Sequence, residues 1–494
     1  MLTTAPKGFK VRSTGTPAAA KTFPGPGSLG GANSRAHAGD EGYKRPSFAM
    51  SLDLAPGVSR PVHAVEDLLG YFRSAERGAG PFKVGLEHEK LLFTRADGLP
   101  VPYEGERGIG ALLAKMQVHG YAPFSEAPGL PTIALQRGVE TVSLEPGGQL
   151  ELSGSPFVTA REAAAENARH LAELKAAADA LGLRVVMLGY RPFEDTDSMP
   201  WMPKSRYGAM RSSLGSRGPL ARDMMLLTAT GQVSLDWTSE ADCAEKVTVA
   251  ARLAPLLVAL YANSPLRQGV PSGFMSYRSH VWTAVDGARC GYLPFMLDGT
   301  FTYRGYAEWA LDAPVLFLRR DGKYVVPGVP FRALLAHGYG GAPVTESDWA
   351  DHLSTLFPEV RIKKVLEVRS ADCCGPAMTA ALPALWRGLL YDPAARAEAL
   401  DLLPRLSFSE HLELHALAGR EGLRGRFREV PLWRLAREMV EISRRALRRM
   451  DPDDAALLAP LAEVANGGVS PAERLLEAHA RGASRGELLD LATL

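Results

Sequence analysis

Apolar and polar residues alternate along several short stretches of this chain. Val142, Leu144, Leu150 and Leu152 are apolar, and Ser143, Glu145, Gln149 and Glu151 stand between them. A period of two places the apolar set on one face of a strand and the polar set on the other. Pro146-Gly147-Gly148 separates the two runs. Proline presets φ and glycine admits positive φ, so residues 142–152 read as a tight β-hairpin. The same alternation predicts strands over residues 82–94, 183–189, 229–237 and 361–369. Helical periodicity predicts helices over 65–73, 109–119, 241–262 and 160–181, the last with Gly182 as its stop. Beyond about residue 380 the pattern is helical and rich in Arg, Ala and Leu. No internal repeat is present. Hairpins and helices in this order predict an α+β fold, with an antiparallel sheet covered on one face by helices.

The polar faces carry the chemistry. If Glu145 lies opposite Gln149, Ser143 lies opposite Glu151, and two carboxylates share one face. Like charges this close repel unless a cation lies between them. Glu87 and Glu89 share a face of their strand, as do Gln232, Ser234 and Asp236, and as do Glu367 and Arg369. Within one sheet these groups form a single lined surface. A lone strand glutamate is usually solvated, but several acid-bearing strands with few Lys or Thr partners are harder to explain that way. Oxygen donors without thiolates suit Mg²⁺ or Mn²⁺ rather than zinc. His88 falls on the opposite face and reads as a structural histidine.

Composition narrows the classes. The chain has 494 residues and is 46% hydrophobic, enough for one large domain or two. A net charge of +1 gives no reason to expect nucleic acid or an anionic membrane as a partner. The four cysteines are too few and too irregular for a disulfide framework, so a reducing, cytoplasmic location is expected. The most apolar stretch, 250–260, is interrupted by Arg252 and Pro255 and reads as a buried helix. Residues 1–60 are rich in Gly, Pro and Ala, lack periodicity, and read as a disordered arm. The arm is basic before Asp40, so a transit peptide, a dispensable tail and a start at Met50 all stay open. There is no G-x-x-x-x-G-K-[ST] loop to cradle a nucleotide, and no G-x-G-x-x-G follows a strand. Residues 482–486 match G-x-S-x-G without the strand a nucleophile elbow needs.

Two further stretches complete the inventory. Lys204, Arg206 and Tyr207 cluster at a helix start. Arg278 could grip a carboxylate with two prongs, with Tyr277 or Trp282 as a wall. Together these strings resemble the glutamate–cysteine ligases of the plant and proteobacterial type. The matching segments are 85–90 (GLEHEK), 143–154 (SLEPGGQLELSG), 202–207 (MPKSRY), 223–225 with 232–236, 262–265 (ANSP), 278–282 (RSHVW), 357–369 (FPEVRIKKVLEVR) and 468–473. They fall in one order from about residue 60 onward.

The resemblance implies a saddle of antiparallel strands akin to glutamine synthetase, flanked by helices, with residues 61–494 as the catalytic domain. It implies ATP-dependent joining of the glutamate γ-carboxylate to the cysteine amine, the first step of glutathione synthesis. The alternative is a ligase of the same chemistry acting on another amine. It further implies a metal shell of Glu87, Glu89, Glu145, Glu151, Gln232 and Glu367, filled by Mg²⁺ or Mn²⁺. Glu367 and Arg369 would be catalytic, Arg369 meeting the transferred phosphate. Arg278, Trp282, Tyr277, Lys204, Arg206 and Tyr207 would contact substrate. The partners expected are glutamate, cysteine and ATP, in a monomer or homodimer. Plant members carry cysteine pairs linked to redox control. Here 326–337 has no Cys and 377–383 has Ala where one is expected, so no such switch is predicted. Adjacent Cys373 and Cys374 close no loop.

Overall fold

The computed structural model describes residues 59–78 and 80–494. The arm expected over 1–60 therefore lies outside the described residues, apart from Ser59 and Arg60. These two already bond to the rest of the chain: Glu346 N donates to Arg60 O at 2.9 Å and Ser347 N to Ser59 Oγ at 2.8 Å.

The alternating stretches become neighbours in one sheet, of nine strands among the described residues. They are β1 (Val84–Thr94), β2 (Ala122–Phe124), β3 (Ala134–Arg137), β4 (Glu140–Leu144), β5 (Leu150–Ser153), β6 (Leu183–Val186), β7 (Thr230–Leu235), β8 (Val360–Ile362) and β9 (Leu366–Asp372). The order is β8-β9-β7-β1-β5-β4-β3-β2, and β6 pairs with the far half of β1. Every pairing is antiparallel.

The apolar face of each strand packs on helices. These are α1 (Ala160–Asp179), α2 (Ser205–Leu214), α3 (Glu240–Leu260), α4 (Tyr277–Trp282), α5 (Pro376–Tyr391), α6 (Phe408–Glu421) and α7 (Leu432–Met450). Val233, Leu235, Leu366 and Val368 share a core with Val247, Ala251 and Leu257 of α3 and with Leu382, Leu385 and Trp386 of α5. Val142, Leu144, Leu150 and Leu152 share another with Leu112, Leu113 and Leu174. Each such Leu or Val contributes about 1.5–3 kcal/mol on burial. A one-residue slip would turn the whole apolar set outward, so this packing pins the register. The expected start of α1 is capped by Thr159, which accepts from Glu162 N, and Gly182 follows its end at φ +68°. Among the described residues no helix is long and apolar enough to cross a membrane.

One expected element is different. The single strand predicted over 361–369 is a hairpin of β8 and β9, closed by Lys363 N donating to Val365 O at 3.0 Å. The successive lysines 363 and 364 break the alternation, and Lys364 turns away to donate to Tyr71 O at 2.9 Å. The hairpin sets Arg361 directly opposite Glu367.

Candidate active site

Across the sheet, the polar face forms a ladder. Ser143 pairs with Glu151, and Glu151 pairs with Glu89. Glu87 lies between Ser153 on one side and Gln232 on the other. Ser234 pairs with Glu367, and Glu367 with Arg361. The hairpin of β4 and β5 has the register its sequence predicts. Its turn is closed by Glu145 N donating to Gln149 O and Gly148 N to Glu145 O, both at 2.9 Å. Gly148 has φ +79°. A Cβ at Gly147 would lie 2.2 Å from Leu226 O, so the turn seats on that backbone with no room for a side chain.

Glu87, Glu89, Glu145, Glu151 and Gln232 line a common cavity of about 110 Å³. Arg206, Met210, Phe317 and Phe357 close it from the other side, and Arg361, Lys363 and Arg369 stand at its basic end. A roomier groove of about 630 Å³ beside Leu99, Phe193 and Arg485 holds none of the sheet's acids and is not this site.

The acids strain against one another. Burial first, then Glu367 and Glu151, push the Glu87 carboxyl up to about 8. Burial, Glu151 and Glu145 raise Glu89 well above the carboxylate range, and burial with Glu151 raises Glu145. Such a set is comfortable only with added protons or an added cation. The donors are oxygens, as a hard cation prefers. Among the described residues no three His, Cys, Asp or Glu side chains form a ready-made metal cage. The arrangement therefore fits an ion that keeps waters and takes further ligands from phosphate.

The basic end corrects one expectation. Glu367, expected among metal ligands, has both oxygens engaged: Arg361 Nε donates to Oε2 at 2.5 Å and Nη2 to Oε1 at 2.8 Å. Arg369 Nη1 adds 3.1 Å and Lys363 lies at 3.6 Å. Burial alone would raise this carboxyl, but the three cations hold it far below the usual range. Glu367 is thus the anchor of a cation cluster. Arg361 and Lys363 were missed as site residues, although their spacing of two in 357–369 was a legible signal. Burial and Arg361 lower the Lys363 amine to about 7.

Arg369 Nη1 also donates to Gln232 Oε1 at 2.5 Å, and its guanidinium stands 5.6 Å from the Trp282 ring and 5.7 Å from that of Phe357. Other expected substrate contacts are engaged elsewhere. Arg278 donates Nη2 to Arg369 O at 2.9 Å and Nη1 to Ser370 O at 3.5 Å, while its buried Nε has no partner among the described residues. Trp282 lines a small cavity beside Arg278, Phe357 and Arg369. Tyr277 does not share that wall and packs edge-on against Tyr190 at 4.9 Å. Lys204 Nζ donates to Leu144 O at 2.6 Å, and Tyr207 Oη donates to the same carbonyl. Both brace the hairpin from outside the cavity. Arg206 alone of that trio lines the cavity, 3.9 Å from Glu145. His88 is buried behind the sheet, its Nδ1 3.1 Å from Asn167 Oδ1. Asp236 serves Lys83 N at 2.7 Å and Arg77 at 3.0 Å.

Known proteins resemble this chain. A sequence model of glutamate–cysteine ligase family 2 matches residues 83–493. The chloroplastic glutamate–cysteine ligase of Brassica juncea is 39% identical over 416 residues, covering 83% of this chain and 80% of that one. That of Arabidopsis thaliana is 39% identical over 420 residues, covering 83% and 79%. A solved glutamate–cysteine ligase from Francisella tularensis, in complex with AMP, has TM-score 0.53 at 12% identity, covering 83% of this chain and 87% of that one. At that identity the likeness bears on the fold alone, and it agrees with the expected antiparallel sheet flanked by helices. The cytoplasmic location expected above is corrected by these names: the relatives matched are chloroplastic proteins.

Proposed function

Because the chain belongs to glutamate–cysteine ligase family 2, we propose that its cavity joins the γ-carboxylate of L-glutamate to the amine of L-cysteine, using ATP. The reaction is the first step of glutathione synthesis, and residues 61–494 form the catalytic domain. A carboxylate is a poor acyl donor. Its oxygen attacks the γ-phosphorus of ATP and ADP leaves, giving γ-glutamyl phosphate. The cysteine amine then attacks the acyl carbon, phosphate departs and the amine loses a proton.

Every reactant is anionic, so the site must neutralise charge as it moves. Glu87, Glu89, Glu145 and Glu151 would hold Mg²⁺ or Mn²⁺, which when bound offsets phosphate charge and polarises the phosphoryl group; the Gln232 oxygen, expected as a further ligand, accepts from Arg369 instead. Arg369 meets the transferred phosphoryl group, held in line by Glu367 and Gln232. Arg361 and Lys363 keep Glu367 ionised and add positive charge at that end. Trp282 and Phe357 wall the guanidinium of Arg369 and limit its swing. Arg206 reaches the cavity from the roof and offsets Glu145. All these side chains belong to one chain, so the reading calls on no residue of a second copy, in a monomer or a homodimer.

The observation that carries this reading is the ladder of acids from neighbouring strands facing one cavity with a cationic end. Purified protein given ATP, Mg²⁺, glutamate and cysteine should release ADP and form the dipeptide. Absence of dipeptide rejects the reading. Faster turnover with a competing amine in the same assay would reassign the acceptor.

A further inference from the structure

β9 is irregular where it bears Arg369. Val368 pairs with Val233, but the next pairing is Ala371 with Gly231, so β9 spends three steps where β7 spends two. Such a bulge bends a strand, re-aims a side chain and takes carbonyls out of the ladder. Buried carbonyls need donors. Arg278, 3% exposed, supplies them: its Nη2 meets Arg369 O at 2.9 Å and its Nη1 meets Ser370 O at 3.5 Å. Thr230 Oγ1 caps the following carbonyl, Ala371 O, at 2.7 Å.

Arg278 is itself held. Its Nη1 lies 3.9 Å from Asp372 Oδ1, and its backbone N donates to Ser264 Oγ at 3.1 Å. Asp372 is 2% exposed and takes four contacts in a fixed cradle. Asn263 N donates to Oδ2 at 2.9 Å, Ser264 Oγ to Oδ2 at 2.6 Å and Ser276 Oγ to Oδ1 at 2.8 Å, with the Arg278 guanidinium as the fourth. A Cβ at Gly189 would lie 2.4 Å from Asp372 Cγ, so the carboxyl is wedged against backbone and has no second position. The network joins the segment after α3, the start of α4 and the end of β9 into one block behind the cavity.

We propose that Asp372 and Arg278 are a positioning pair for the ligase reaction: Asp372 fixes the Arg278 guanidinium, which caps the β9 bulge and so aims Arg369 at Gln232 and Glu367. The inference rests on the proposed function only for the role of Arg369. Two consecutive carbonyls need a rigid fork, and the single ammonium of lysine cannot span them. A loosened bulge would leave substrates bound but misplace Arg369, and a displacement of about 1 Å can cost about 100-fold in rate.

The test is a cycle of variants. Arg278→Lys and Asp372→Asn should each lower kcat by about 10- to 100-fold, with the glutamate and ATP KM little changed in protein that stays folded at the assay temperature, although both melt below wild type because buried hydrogen bonds are lost. In the Arg369→Ala background, where residual turnover is low, the same changes should cost nothing further, because effects routed through one residue are not additive. Losses that multiply in the double variants overturn the pair. So does a raised glutamate KM with unchanged kcat, which would make Arg278 a substrate clamp. Full turnover by Arg369→Ala alone overturns the pair and the assigned role of Arg369 together, whereas an inactive Arg369→Ala with multiplying losses overturns the pair only. Should Arg278→Lys fail to fold, Asp372→Asn carries the same test, since the amide keeps the carboxyl's shape.

Discussion

Replacing Glu87 by Gln isolates the cost of gathering acids without a cation. Glu87 is 5% exposed and its carboxyl is pushed from 4.5 to about 8, by burial and then by Glu367 and Glu151. Below pH 4.5 both folded and unfolded chains carry its proton. Between 4.5 and 8 the folded chain keeps a proton that the unfolded chain has released, so rising pH favours unfolding across that window. Above 8 both are ionised and the slope vanishes. The separation, 8 − 4.5 = 3.5, at about 1.4 kcal/mol per unit amounts to about 5 kcal/mol of lost stability. In metal-free buffer, the urea stability of the wild type measured relative to Glu87→Gln should therefore fall from pH 5.5 to pH 8.5, since other titrating groups such as Lys363 are common to both proteins. Glu87→Gln should be the more stable protein at pH 8.5. Added Mg²⁺ should restore the wild type at pH 8.5 and do little for the variant, which should be a poor ligase at any pH. A variant less stable than wild type at pH 8.5 without metal would refute the reasoning, because the carboxylate would then be holding the fold together.

Four further outcomes are expected. Arg361→Met strips Glu367, 0% exposed, of its two-pronged partner and should destabilise by about 3–5 kcal/mol in urea melts; a loss near zero would mean that Arg369 and Lys363 suffice. Glu145→Gln and Glu151→Gln should each cut turnover heavily with little change in melting temperature, and loss of folding instead would make them structural. Gly147→Ala, placing a Cβ 2.2 Å from Leu226 O, should lower melting temperature and turnover together, and a variant matching wild type in both would show that the turn can shift freely. Activity should be the same after oxidant as after reductant, since Cys243, Cys373 and Cys374 are buried, Cys290 is half-buried, and none of the four forms a disulfide; a many-fold difference would reveal a thiol switch.

Much of this site could be read from local alternation, because strand geometry makes the period-two rule strict. Glu87 and Glu89, then Glu145 and Glu151, fall on the cavity face for that reason, and the two-glycine turn fixed which residues of the hairpin would meet. Partnership between distant strands is a different matter. Nothing local says that Gln232 lies beside Glu87, and the hidden turn at Lys363 concealed the pairing of Arg361 with Glu367. The contacts Arg278 makes here are to main-chain carbonyls of a bulge, which leave no trace in residue types. Tyr277 and Trp282 are five positions apart on a helix, about 140° around its axis, so they could not wall the same cavity. The location failed for a simpler reason: cysteine chemistry reports redox state, and several compartments share it.

The long spans between paired strands bear on how the protein is made. β1 lies beside β7, and β7 beside β9, so the central ladder joins Glu87 to Gln232 and Ser234 to Glu367. A ribosome must finish Asp372 before the last wall can dock. Until then the growing chain carries an unfinished sheet with open edges and mutually repelling side chains. Pairing over such distances is slow and leaves sticky intermediates. On the proposed function, nucleotide would engage only after that closure, so its arrival would act as a latch on newly made molecules.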